Sequence, residues 1–147
     1  MKNEMKLEFD AVSMNEGFAR IAAAAFIAPL NPTLEEVSDV KTAVSEAVTN
    51  AIIHGYEGQN GKIWIRCRLE DDLLHMEIED KGKGIEDVQQ AMEPLFTTKP
   101  ELDRSGMGFA FMEAFMDELE VESVPGEGTL VKMKKKLGLH AWIQDED

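Results

Sequence analysis

The apolar positions of the chain change period repeatedly, and each change marks the border of an element. Residues 5–9 (M-K-L-E-F) alternate apolar and charged, which predicts a half-buried strand. Helical spacing follows from about Met14 to Ala28. Ser13 with Glu16 reads as a capping box that opens this helix, and Pro29 stops it. A second capping box, Thr33 with Glu36, starts the next helix near Leu34. On it Val37, Val40, Val44, Ala47, Val48, Ala51 and Ile52 form one apolar stripe, and Gly55 reads as its C-terminal cap. After an Asn60-Gly61 turn, Ile63, Ile65, Cys67 and Leu69 alternate with Trp64, Arg66 and Arg68. Leu74, Met76 and Ile78 repeat that pattern in the following strand, antiparallel to the last. A short helix is expected over 86–92 and another from Phe109 to Leu119, with Met112, Phe115, Met116 and Leu119 inward. Val121 to Val124, the turn Pro125 to Gly128, and Thr129 to Met133 read as a final pair of strands. The expected fold is α+β, a two-layer sandwich with helices on one face of a mixed, mostly antiparallel sheet. Residues 1–136 are expected to form one domain, followed by a tail over 137–147.

Composition narrows the classes. At 147 residues the chain is the size of one domain with a proper core. The single cysteine, Cys67, excludes an internal disulfide and suits a reducing, cytoplasmic setting. The apolar run from Ile21 to Leu30 is too short to span a bilayer and has no basic leader, so neither membrane nor export is expected. A net charge of −14 repels phosphate backbones, which argues against direct nucleic-acid binding.

Chemistry concentrates in three places. Glu46 and Asn50 lie one turn apart, opposite the apolar stripe. There a carboxylate could accept a proton, and an amide oxygen could coordinate Mg²⁺. Asp80 ends a strand and is followed by Gly82 and Gly84, so it could accept a hydrogen bond from an exocyclic amine while the backbone approaches a ligand. The aperiodic segment from Pro94 to Ser105 has the composition of a lid, and Gly106 and Gly108 then open a helix. Such a helix entry suits phosphates, with Lys99 and Arg104 adding positive charge. Taken singly, each feature has a plainer reading: a solvated helix face, an acidic turn, a hinge. Alone, Arg20 reads as a surface arginine and Thr129 as a β-prone residue.

In that order, Glu46-x-x-x-Asn50, Asp80-x-Gly82-x-Gly84 and Gly106-x-Gly108 resemble the N box and glycine boxes of the GHKL superfamily. These are the ATP-binding domains of gyrase, MutL and histidine kinases, and the resemblance spans roughly residues 5–135. The phrases P-L-F-T-T-K-P-E-L-D-R-S-G-M-G-F (Pro94 to Phe109) and E-A-V-T-N-A-I-I-H-G-Y (Glu46 to Tyr56) narrow it. With F-A-R-I at Phe18 to Ile21, they are similar to the free-standing anti-sigma serine kinases of spore-forming bacteria.

The resemblance implies ATP and Mg²⁺ as cofactors, with Asn50 holding the metal on the phosphates and Glu46 as general base on a protein serine. It implies that Asp80 binds the adenine amine, helped through water by Thr129, while Gly82 and Gly84 shape the pocket. Ser105, Gly106, Met107 and Gly108 would cover the phosphates, with Thr98 and Lys99 of the same loop counted among the nucleotide-binding residues. Arg104 would sense the terminal phosphate or touch a partner, and Arg20 would contact partner proteins. Family members are homodimers that hold a sporulation sigma factor and phosphorylate an anti-anti-sigma factor on serine. Three other readings compete: a nucleotide-gated binding module without catalysis, a histidine-kinase-like domain, and a general-stress anti-sigma kinase.

Overall fold

A computed structural model describes residues 2–93 and 108–138. Five strands form one sheet in the order β1-β2-β3-β5-β4. They are β1 (Lys2–Asp10), β2 (Lys62–Glu70), β3 (Leu73–Asp80), β4 (Glu118–Val124) and β5 (Gly128–Lys136). The helices are α1 (Met14–Ile27), α2 (Leu34–Asn50), α3 (Val88–Ala91) and α4 (Gly108–Phe115). All the pairings among these strands are antiparallel, so the expected parallel element of a mixed sheet does not occur among the described residues. The connection explains it. A single crossover helix reverses the chain twice and would return β2 parallel to β1, whereas the α1–α2 pair adds a third reversal and delivers it antiparallel.

The alternation expected for β2 and β3 is what the sheet buries. Ile63, Ile65, Leu69, Leu74 and Met76 are at most 1% exposed and face the helices, and Cys67, also buried, lies among them at 3%. Burial pushes the Cys67 thiol up to about 12, so it is an inert core residue. α2 covers this face with Val40, Ala43, Val44, Ala47, Val48 and Ala51, while Val37 and Ile52 pack at its margin. On the other face Arg66 is held between Glu77 (2.9 Å) and Glu79 (3.0 Å), and Lys132 meets Glu122 at 2.6 Å. These half-exposed pairs form a solvated charge ladder that adds little to stability.

The two capping boxes part company. At α2 both reciprocal bonds form: Thr33 Oγ1 accepts from Glu36 N (3.0 Å), and Glu36 Oε1 accepts from Thr33 N (2.8 Å). At α1 Ser13 has helical backbone angles and makes no side-chain cap bond. Glu16 turns instead toward α2, accepting a hydrogen bond from Ser45 Oγ and pairing with Arg20 at 3.7 Å. A tertiary contact has taken the carboxylate that a local cap would need.

The last helix ends at Phe115, before the Leu119 expected for it, because Leu119 pairs with Met133 in β4. Leu137, the first residue of the expected tail, is buried and donates its N–H to Asp72 O at 2.7 Å. Residues 139–147 lie outside the described residues. Lys135, also buried, ties β5 to the helical layer: its Nζ donates to Phe115 O (2.7 Å) and meets Asp39 at 3.4 Å.

Candidate functional site

α2 does not end cleanly. Beyond Asn50 the helix widens into a π-turn over Ala51–Gly55, where Tyr56 N reaches back to Ala51 O (2.9 Å). Such local widenings recur at functional sites, since they re-aim side chains without breaking the helix. Here the widened turn runs into the end of β3. Gly55 is therefore no left-handed cap. A Cβ on it would lie 2.9 Å from Asp80 Oδ1, so the missing side chain makes room for that carboxylate.

Asp80 is 7% exposed. Its Oδ1 accepts from Gly82 N at 2.8 Å, and the backbone N–H of Thr129, its register partner on β5, also donates to the carboxylate. Burial nevertheless dominates and pushes the Asp80 carboxyl up to about 6. The loop that follows is clamped from both sides. A Cβ on Gly82 would stand 2.2 Å from Gly55 O, and Lys83 N donates to that same carbonyl at 2.8 Å. Gly84, at φ 75°, lies against Val124 at the end of β4 and Pro125 of the turn that follows. Tyr56 adds a strut, its hydroxyl donating to Lys62 O (2.5 Å) and accepting from Lys81 N (2.7 Å).

These elements enclose a cavity of about 670 Å³. Asn50, Asp80, Gly84, Gly108 and Thr129 line it, so residues up to 79 positions apart in the chain meet at one site. Gly82 stands behind the wall, and Glu46, one turn before Asn50 and half-buried, is not on the lining. Arg20 lies on α1, away from it. Thr98, Lys99, Arg104, Ser105, Gly106 and Met107 lie outside the described residues. Periodicity did not single out the apolar floor that Ile78, Ile85 and Val131 supply for a flat ring. Ile78 and Val131 looked like ordinary core positions, and Ile85 lies in a loop where no period operates.

Asn50 has a polar atom to offer. Its Nδ2 is buried and makes no hydrogen bond within the described residues, while α4 presses on the carboxamide from Gly108, whose Cβ would lie 2.8 Å away. The oxygen and nitrogen of a carboxamide exchange places by a half-turn, so the group can present a hard oxygen ligand. Among the described residues no cluster of three or more His, Cys, Asp or Glu could hold a metal. A hard cation here would therefore rely on Asn50 and on a ligand's own phosphates, the arrangement Mg²⁺ favours.

The profile of the histidine kinase-like ATPase domain family matches residues 10–135. The anti-sigma F factor of Bacillus subtilis is 57% identical over 138 residues, covering 93% of this chain and 94% of that one. The chain belongs to the anti-sigma F factor family, within the histidine kinase-like ATPases. The anti-sigma F factor of Caldanaerobacter subterraneus is 60% identical over 136 residues (92% and 95% covered), and that of Clostridium botulinum 59% over 139 (94% and 97%). Among solved structures, the RsbU and RsbW domains of a Mycobacterium tuberculosis protein superpose with a TM-score of 0.67 at 20% identity. That match covers 92% of this chain and 32% of the other. The catalytic domain of histidine kinase ThkA gives 0.57 at 17% identity, covering 91% and 98%. Both likenesses establish the fold. As a member of this ATPase family the chain carries an ATP-binding domain. Among the described residues no helix is long and apolar enough to cross a membrane.

The raised Asp80 carboxyl has consequences of opposite sign for folding and for binding. In the empty protein the folded state holds this proton more tightly than the unfolded chain does. Stability therefore falls as pH rises from about 4 to 6, by on the order of 3 kcal/mol. An exocyclic amine bound here, as proposed below, would find its better acceptor in the ionised carboxylate. Nucleotide affinity is expected to be flat above pH 6 and to fall about tenfold per unit below it. Titration calorimetry in buffers of different ionisation enthalpy would register the proton released on binding near pH 6. A flat affinity from pH 7 to 5 would contradict the assignment.

Proposed function

We propose that this chain is a cytoplasmic, ATP-dependent anti-sigma factor. It holds the sporulation sigma factor F from RNA polymerase and, as a homodimer, phosphorylates an anti-anti-sigma factor on serine. The observation that supports this most is that buried Asp80 and Asn50, whose Nδ2 has no hydrogen bond among the described residues, line one cavity in a chain 57% identical to an anti-sigma F factor over nearly its whole length.

Each residue has a task. Asp80, supported by Thr129, accepts the adenine amine, and the glycines at 82 and 84 let the loop close on the base. Asn50 would hold Mg²⁺, which when bound neutralises charge on the phosphates. Gly108 at the head of α4 meets the phosphate end, and Thr98, Lys99, Arg104, Ser105, Gly106 and Met107, which precede it in the chain, are assigned to nucleotide binding with it. Glu46, a turn from Asn50, takes the proton of the incoming serine hydroxyl as its oxygen bonds to the γ-phosphorus and ADP departs. Arg20 and Arg104 meet the protein partners.

A transfer assay with γ-labelled ATP, Mg²⁺, the purified chain and its anti-anti-sigma partner tests this directly. Label should appear on the wild-type partner and not on one whose acceptor serine is alanine. Glu46→Gln should lower transfer at least ~100-fold while ATP affinity stays within about twofold. ATP-dependent capture of the sigma factor without any transfer would overturn the kinase and leave a nucleotide-gated clamp.

A further inference from the structure

Ser123 lies on β4 outside the cavity lining, yet its hydroxyl touches three parts of the site at once. Ile85 N donates to Ser123 Oγ at 2.7 Å, Ser123 Oγ donates to Gly128 O at 2.9 Å, and Thr129 Oγ1 is 3.0 Å away. A hydroxyl has one proton and two lone pairs. The amide of Ile85 occupies one lone pair, and the carbonyl of Gly128, which can only accept, takes the proton. The remaining lone pair must receive the proton of Thr129. Thr129 thus turns its hydrogen away from the cavity it lines and shows that space lone pairs alone. Beside it the Asp80 carboxylate, already holding two backbone N–H groups, also presents an acceptor.

We infer that Ser123 is a positioning residue for base selectivity: through its three contacts it locks Thr129 as an acceptor, so the site reads the amine of adenine and rejects the carbonyl of guanine. Two acceptors side by side match the two N–H groups of an exocyclic amine and repel an oxygen in the same place. Ser123 does this without touching the nucleotide. The inference rests on the ATP-binding reading of the cavity.

The test is calorimetric titration of the full chain with ATP and with GTP, for wild type, Ser123→Ala and Ser123→Thr. Removing the hydroxyl releases the Thr129 proton to swing into the cavity, where it can meet the oxygen of guanine. Ser123→Ala should cut the ATP-over-GTP preference about tenfold, with ATP binding itself weakened about fivefold. Ser123→Thr keeps the hydroxyl and should restore the preference to within about twofold, and in the transfer assay kcat at saturating ATP should stay near wild type throughout. If Ser123→Ala does not fold, Ser123→Cys replaces it and must also lower the ratio, because a thiol is a weak hydrogen-bonding partner. Equal weakening toward both nucleotides, with the ratio intact, would make Ser123 a mere strut and overturn the inference. A wild-type chain that binds no ATP would instead sink the underlying reading.

Discussion

Asp80→Asn should abolish useful ATP binding while leaving the empty protein at least as stable as wild type. The backbone N–H groups of Gly82 and Thr129 donate to the carboxylate, and in the variant they would claim the one carboxamide oxygen. The amide NH₂ must then face the cavity, donor against the donor of adenine. A buried site with a mismatched polar group rejects its ligand by several kcal/mol, so a loss of affinity of at least ~100-fold is expected. Folding moves the other way, because a neutral side chain replaces a carboxylate whose burial is penalised. Calorimetric ATP titration with a thermal melt of the empty protein separates the two effects. Weak binding accompanied by a lower melting temperature would mean that Asp80 is structural, not a reader of the base.

Gly82→Ala should damage stability and binding together. The added Cβ would lie 2.2 Å from Gly55 O and 2.7 Å from Gly55 Cα, and both are backbone, so no side chain can swing aside. Either the loop after β3 lifts from the π-turn or the turn itself moves, and each motion also strains the bond from Lys83 N to Gly55 O. A cost of about 3 kcal/mol in urea denaturation is expected, with ATP affinity reduced by more than tenfold. Gly58→Ala is the contrast. Its backbone has φ 78° but nothing lies within 4 Å of the new Cβ, so it should cost only about 1 kcal/mol of backbone strain. Equal losses in the two variants would mean that the close approach of the two loops adds nothing at Gly82 and would overturn this account.

The polar half of the site was legible because its residues stand at positions where ordinary packing has no use for them. Asn50 lies off the apolar stripe of α2, and Asp80 stands where a strand should simply end. Gly108, at the head of α4, has no role in a strand or helix interior. Tyr56, Ser123 and Gly55 were passed over for the opposite reason. Tyr56 follows a helix, Ser123 alternates normally along β4, and Gly55 stands where a helix cap is routine. Each of the three acts through a contact with a segment 25 or more positions away, and spacing along the chain carries no record of it.

Sequence by itself determined the elements and the faces they bury. The alternation of β2 and β3, the stripe of α2 and the reciprocal Thr33–Glu36 cap depend on neighbours within a turn or a pleat, so local pattern suffices. Only the tertiary structure decided the all-antiparallel pairing, the diversion of Glu16 from a cap to Ser45, and the end of α4 at Phe115 rather than Leu119. The same holds for the polarity of the pocket around Asp80 and Thr129. In each of these a side chain or backbone group had two satisfactory local partners or none, and a distant segment brought by folding supplied the one that prevailed.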